Sequence, residues 1–113
     1  MGRSAEAWTC ERSILAEVVR RLVTAYRPER IYLFGSAARG DAGPDSDFDL
    51  LVVVPDGATP EQKDSRRAYE VLWDMRTAAD VIVWEKSPFD RRARVVASLP
   101  ATVLREGKLL YAA

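Results

Sequence analysis

The chain has 113 residues, which is enough for one domain with a hydrophobic core and too few for several. Its 17 basic and 17 acidic residues give no net charge, which excludes strong general attraction to a nucleic-acid polymer or a membrane surface. The single cysteine, Cys10, excludes an internal disulfide, and no secretory leader, spanning segment or repeat is visible. We therefore expect one cytoplasmic domain over residues 1–113, with residues 1–8 frayed.

The first predicted element is an amphipathic helix over residues 9–26, which Pro28 follows. Its apolar side chains recur at intervals of three and four, which is the spacing of one helix face. These positions are Ile14, Leu15, Val18, Val19, Leu22, Val23 and Tyr26. This pattern predicts that one side of the helix packs on the rest of the domain.

Two short apolar runs follow and predict two strands. Residues 31–34 are aromatic or branched and stop at Gly35, whereas residues 50–54 are apolar without alternation and end at Pro55. A run without alternation is typical of a strand that is covered on both faces. The segment between the two runs is rich in glycine, serine and aspartate, so we expect the functional residues there.

The spacing of Asp47 and Asp49 indicates a cation site. Side chains two apart on a strand point to the same face, about 6.5 to 7 Å apart along the chain, while Phe48 would point toward the core. Two converging carboxylates favour a hard divalent ion such as magnesium, and the chain has no histidine and one cysteine to offer a softer metal. The alternative is a solvated acidic turn before a strand.

A calcium loop of the EF-hand type does not fit these aspartates. Asp45, Asp47 and Asp49 match its first three ligand positions, but Leu50 stands where the loop needs glycine. Asp56 stands where the loop needs a bidentate glutamate. We therefore exclude calcium binding of this kind.

The pair Gly35-Ser36 is a candidate phosphate site. A glycine after a strand permits positive φ and close approach of the backbone, and amide groups followed by a hydroxyl can bind an anion. Gly35 and Gly40 have the glycine spacing of a P-loop, but Asp41 and Ala42 replace its Lys and Ser/Thr, so a Walker-type ATPase is not expected. Taken alone, Gly-Ser is also an ordinary turn.

A third carboxylate is found at Asp80, at the start of a branched apolar run over residues 80–84 that predicts a strand. Alone, it could be a residue at a strand end that faces solvent. Beside the paired aspartates it fits a metal site better.

Cap residues followed by proline predict two further helices. Thr59 and Gln62 form a predicted capping box, with Pro60 in the first turn, for a helix that reaches about Ala79. Ser87 and Pro88 open a second helix to about Ser98, which Pro100 ends. Its predicted inward side chains are Phe89, Val95, Val96 and Leu99. We then expect a short helix through Glu106 that ends at Gly107. An edge strand over residues 108–111 is expected after it.

The run GSAARG at residues 35–40, followed by SDFDL at residues 46–50, closely resembles the signature of the DNA polymerase β-like nucleotidyltransferase superfamily. The similarity is greatest to its minimal nucleotidyltransferase branch. It rests on specific motifs over residues 31–84 and extends more loosely to residues 105–111. It implies an α/β fold of the polymerase β palm type, with a small mixed sheet flanked by helices in one compact domain.

The resemblance also implies roles for individual residues. It makes Asp47, Asp49 and Asp80 the catalytic residues and the ligands of magnesium, with two ions expected. The nucleotide, with ATP as the expected substrate, would contact Gly35, Ser36, Arg39 and Ser46. Whether Arg39 pairs with a phosphate or with a neighbouring aspartate stays open.

The function implied by the resemblance is transfer of a nucleoside monophosphate from a nucleoside triphosphate to a hydroxyl group. Free-standing proteins of the minimal branch typically act as antitoxins paired with HEPN-domain toxins, and some adenylylate a tyrosine of that partner. Two alternatives stay open: an antitoxin that only masks its partner, and a nucleotidyltransferase that acts on a small molecule. No membrane partner and no strong binding of nucleic-acid polymers are expected.

Overall fold

The computed structural model describes residues 2–35, 38, 48–75, 77 and 79–113, with only the backbone described for residues 2–13. The elements in chain order are α1 (Gly2–Tyr26), β1 (Arg30–Phe34), β2 (Phe48–Val54), α2 (Pro60–Lys63), α3 (Arg66–Leu72), a 3-10 turn (Trp73–Met75), β3 (Ala79–Glu85), α4 (Lys86–Arg92), α5 (Leu99–Glu106) and β4 (Lys108–Ala112). All four predicted strands are therefore present. Helix α1 begins earlier than the predicted start at residue 9.

The four strands form one mixed sheet in the order β3-β2-β1-β4. Strand β2 runs antiparallel to β1 and parallel to β3, and β1 runs antiparallel to β4 with a bulge between Ile31 and Tyr32. The predicted α/β class, with a small mixed sheet flanked by helices, is confirmed. β4 lies at an edge, as the sequence indicated.

Strand β2 is buried on both faces of the sheet, as its unbroken apolar run predicted. Leu50, Val52 and Val54 belong to a core with residues of α1 and α3, whereas Leu51 and Val53 belong to a second core on the opposite face. The first core includes Val18, Leu22, Tyr26, Ala68 and Leu72, and the second includes Tyr32, Phe89 and Val103. Each buried apolar side chain contributes roughly 1.5 to 3 kcal/mol, so β2 is a firmly held support for the residues at its start.

The predicted capping box of α2 is confirmed. The Gln62 amide donates to Thr59 Oγ1 at 3.3 Å, and the Thr59 amide donates to Gln62 Oε1 at 2.9 Å. The extent of this helix was wrong, because α2 ends at Lys63 and α3 begins at Arg66. Asp64 lies between them in an extended conformation, and its carboxylate accepts the Arg66 amide at 3.0 Å. A short polar side chain that accepts a nearby backbone amide in this way competes with a continuous helix.

The second predicted helix also differs from expectation. Ser87 does not cap it, because its amide donates to Asp56 Oδ1 at 2.8 Å and its hydroxyl contacts the same carboxylate. The helix α4 ends at Arg92, and Val95 and Val96 are 46% and 78% exposed instead of buried. The predicted end of this helix near Ser98 was therefore wrong.

Ser98 instead begins the next helix, α5. Its side chain accepts the Ala101 amide at 3.2 Å, and Pro100 lies in the first turn. Proline is well tolerated there, since the amide it lacks would have no helical partner. Pro100 therefore lies at the start of a helix. The prediction that Pro100 ends a helix was wrong.

Across the part of the chain that the structure describes, no helix combines the length and the apolar character required to cross a membrane.

Candidate active site

Two of the three predicted acids are neighbours in the sheet. Asp49 of β2 and Asp80 of β3 are register partners on parallel strands, so their backbones lie side by side. Neighbouring strands are about 4.7 to 4.9 Å apart, and side chains of paired residues project from the same face. The structure thus brings together two carboxylates that are distant in sequence.

Both acids lie on the face of the sheet that carries the second core. Asp49 points to the same face of the sheet as buried Leu51 and to the opposite face from Leu50. Asp80 and Ile82, the register partners of Asp49 and Leu51, lie on that same face. Asp49 is partly buried, whereas Asp80 is exposed and Ile82 is 37% exposed. Because β3 is an edge strand, a substrate can approach Asp80 from solvent.

Gly35 lies directly against Asp49. It follows Phe34, which pairs with Asp49 across the antiparallel strands, and its φ of +73° is in the left-handed region. A Cβ atom at this position would collide with Asp49 Oδ2 and lie 3.3 Å from Asp49 Cγ. The backbone conformation therefore favours glycine here, and any side chain at this position would displace the Asp49 carboxylate.

The sequence reasoning assigned Gly35 to the nucleotide and missed its contact with Asp49. The signal was indirect, because the contact follows from the pairing of β1 with β2 and not from any motif. Once an antiparallel pair is assumed, the residue after Phe34 lies close to Asp49 or its neighbours.

The donor set at this edge suits a hard divalent cation. Carboxylate oxygens are the ligands that magnesium prefers, and the adjacent Asp49 and Asp80 supply them from a rigid sheet. Within the described ranges, no group of three acidic, histidine or cysteine side chains is positioned to hold a metal ion. The third predicted ligand, Asp47, lies outside those ranges, as do the predicted nucleotide contacts Ser36, Arg39 and Ser46.

Charged groups elsewhere hold the supporting helices in place. Arg21 of α1 bonds to Glu17, to the Asp74 carboxylate of the 3-10 turn, and to the Val71 carbonyl at 3.1 Å. Hydrogen bonds from Arg20 and Arg21 lower the pKa of Glu17 from 4.5 to about 2. A hydrogen bond from Arg21 likewise lowers the pKa of Asp74. This network ties α1 to the segment that leads into β3.

A second polar cluster joins the other end of β2 to β3 and α4. The hydroxyl of Ser87 lowers the pKa of Asp56, which follows β2. Glu85, at the end of β3, accepts from Lys63 at 3.0 Å and from the Gly57 amide at 3.2 Å. The hydrogen bond from Lys63 lowers the pKa of Glu85. Because every one of these groups is paired, we assign the cluster a structural role.

Residues 12–108 match the family model described as the nucleotidyltransferase domain. The chain therefore belongs to this family, and the predicted resemblance is confirmed at that level. No curated protein sequence matches the chain.

Solved structures with the same fold include proteins of two kinds. A Sulfolobus solfataricus protein named as a nucleotidyltransferase is 25% identical, with a TM-score of 0.56 over 88% of this chain and 78% of its own. A toxin-antitoxin structure with AMP-PNP is 22% identical, with a TM-score of 0.56 over 86% of this chain and 73% of its own. A mutant of the toxin-antitoxin MntA-HpeT, in which two aspartates two positions apart are changed to glutamate, is 17% identical, with a TM-score of 0.53 over 84% and 71% of the two chains. The last two establish likeness of fold alone.

Proposed function

We propose that the chain transfers a nucleoside monophosphate, AMP from ATP, to a hydroxyl group and releases pyrophosphate. The observation that carries the proposal is the pairing of Asp49 with Asp80 on adjacent strands, beside Gly35, in a nucleotidyltransferase domain. Displacement at the α-phosphorus places negative charge on the entering and leaving oxygens. A site built from carboxylates at the open end of a sheet supports such chemistry through a bound cation.

The three acids have two roles, which are metal binding and proton transfer. Asp47, Asp49 and Asp80 would hold two magnesium ions, which would neutralise the negative charge on the reacting oxygens. Asp49 is partly buried and fixed in β2, so it serves as a rigid ligand. Asp80 is exposed at the edge strand, so it also accepts the proton of the incoming hydroxyl.

The nucleotide lies at Gly35, the residue directly after β1. The positive φ of Gly35 supports close approach of a phosphate to the backbone. Gly35, Ser36, Arg39 and Ser46 contact the nucleotide, and Gly35 and Ser36 hold its β- and γ-phosphates. Arg39 binds either a phosphate or a neighbouring aspartate, and substitution of Arg39 distinguishes the two by its effect on the KM for ATP.

We further propose that the acceptor is a tyrosine of a HEPN-type toxin and that the chain acts in the cytoplasm as its antitoxin. The fold is shared with two toxin-antitoxin structures, one of which contains AMP-PNP. The pair of aspartates changed in the other has the spacing of Asp47 and Asp49. Both similarities support an antitoxin that uses a nucleotide.

The test is to incubate the purified protein with magnesium, ATP and the product of the neighbouring gene. Intact-mass spectrometry should show that the neighbour gains the mass of one AMP and that its toxicity is lost. The Asp49→Asn variant should abolish the gain, whereas Asp90→Asn, a change on α4, should retain it. Loss of toxicity without any mass gain would refute transfer and support masking, and modification of a small molecule alone would refute the toxin as acceptor.

A further inference from the structure

We infer that Gly35 is a positioning residue for Asp49, in addition to any contact it makes with a phosphate. Its lack of a side chain leaves the space that the Asp49 carboxylate occupies. The role of Asp49 as a ligand rests on the proposed function. The requirement for space at Gly35 rests on the geometry alone.

The atoms nearest to a Cβ placed on Gly35 all belong to the Asp49 side chain. They are Oδ2, Cγ at 3.3 Å and Cβ at 3.5 Å. Any other residue at position 35 would therefore press first on the carboxylate of Asp49. The part of Asp49 that would be displaced is the part that binds a cation.

The backbone of Asp49 cannot retreat from such a contact. It is paired on one side with Phe34 of β1 and on the other with Asp80 of β3, near the start of a strand whose later residues are fully buried. A larger residue at position 35 must therefore turn the carboxylate about its side-chain bonds. This rotation changes the direction from which its oxygens face a ligand shared with Asp80.

Gly57 provides a matched control for the backbone effect. Its φ of +81° is close to the +73° of Gly35, but a Cβ placed on Gly57 has no atom within 4 Å. Gly57→Ala therefore reports the strain of alanine at positive φ alone. Gly35→Ala adds the collision with Asp49.

The first measurement is thermal unfolding of Gly35→Ala, Gly57→Ala, Asp49→Ala and the double variant Gly35→Ala/Asp49→Ala. We expect Gly57→Ala to lower Tm by about 4 to 8 °C, and Gly35→Ala to lower it further. Asp49→Ala removes the two closest atoms, so in that background Gly35→Ala should cost no more than Gly57→Ala does in the wild type. If the two glycine variants are equally affected, or if the extra cost persists without the carboxylate, the inference is wrong.

The second measurement is binding of Mn²⁺, a magnetic substitute for Mg²⁺, followed by the electron paramagnetic resonance of the free ion. Gly35→Ala should weaken Mn²⁺ binding about 10- to 100-fold, as changes to groups that orient a ligand typically do, and Gly57→Ala should leave it unchanged. Unchanged Mn²⁺ affinity in Gly35→Ala would contradict the positioning role. The two proposals can fail separately. If the extra loss of Tm in Gly35→Ala disappears in the Asp49→Ala background but the protein transfers no AMP, the proposed function is refuted and the contact between Gly35 and Asp49 stands.

Discussion

At the scale of single residues, Asp80 carries the most direct test of the chemistry. It is exposed on an edge strand, so replacing it should leave the fold intact. Asp80→Asn should lower kcat by about 10²- to 10⁴-fold, the range typical of a lost acid or base group. Steady-state rates of AMP transfer measure this.

The matched control is Asp90→Asn on α4, which removes an exposed carboxylate. This carboxylate pairs with Arg30 of β1 at 2.9 Å. Its rate should stay within twofold of the wild type, because a surface ion pair contributes about 1 kcal/mol or less to stability and Asp90 lies outside the proposed site. Equal rates for Asp80→Asn and the wild type would exclude Asp80 from catalysis.

Glu17 makes the stability of the protein depend on pH. Its pKa is lowered from 4.5 to about 2 by Arg20 and Arg21, so its charged form stabilises the fold above about pH 4.5. That contribution is lost as the pH falls from about 4.5 toward 2. In urea unfolding across this window, the difference in unfolding free energy between wild type and Glu17→Gln should shrink steadily. An equal difference at pH 5 and pH 2 would contradict this account, and Glu61→Gln on α2 is the control.

The positions of Asp49 and Asp80 near strand starts were predictable, since a strand and its first residues can be identified locally in the sequence. Their pairing was not predictable, because the register of Asp49 with Asp80 depends on contacts between distant segments. The contact between Gly35 and Asp49 was hidden for the same reason.

At the scale of elements, the end of α5 depends on Gly107. A Cβ there would lie 2.6 Å from the Val103 carbonyl oxygen and 2.8 Å from that of Leu33, and both are backbone atoms that cannot move aside easily. Gly107→Ala should therefore lower the free energy of unfolding by about 1 to 3 kcal/mol in urea titrations. Lys108→Ala, at an exposed neighbour, should change it by less than about 0.5 kcal/mol. A Gly107→Ala variant as stable as Lys108→Ala would refute the close packing.

The break between α2 and α3 is tied to α1 by one hydrogen bond. The hydroxyl of buried Tyr26 donates to the Asp64 carbonyl at 2.6 Å. Tyr26→Phe leaves this carbonyl without that partner and should cost about 1 to 3 kcal/mol in urea unfolding. The control is Tyr69→Phe, since Tyr69 is 56% exposed and its change should have little effect. Equal stability of the two variants would show that the bond contributes nothing.

The start of α2 was easier to predict than its extent. Thr59 and Gln62 signal a start within four residues, and the structure has the reciprocal bonds they imply. The interruption at Asp64 depends on one polar side chain, whose hydrogen bond to the Arg66 amide competes with a continuous helix. The sequence did not indicate the early end of α4 at Arg92. The exposure of Val96 shows that apolar spacing cannot identify the buried face once a helix has ended.

At the scale of the whole molecule, the two cores fix where the acids can lie. β2 is held from both faces, and its first residues bring Asp49 beside the exposed edge strand β3. The α/β class followed from the sequence because buried runs and helix starts are local. The strand order β3-β2-β1-β4 did not, because it depends on which segments meet in the folded chain.

The most direct measurement is a crystal structure with magnesium and an ATP analogue that has a methylene bridge between its α- and β-phosphates. Our account predicts metal density contacted by the carboxylates of Asp47, Asp49 and Asp80, with the triphosphate at Gly35 and Ser36. A bound nucleotide with Asp80 turned away from the metal, at a distance that no water-bridged contact spans, would contradict it.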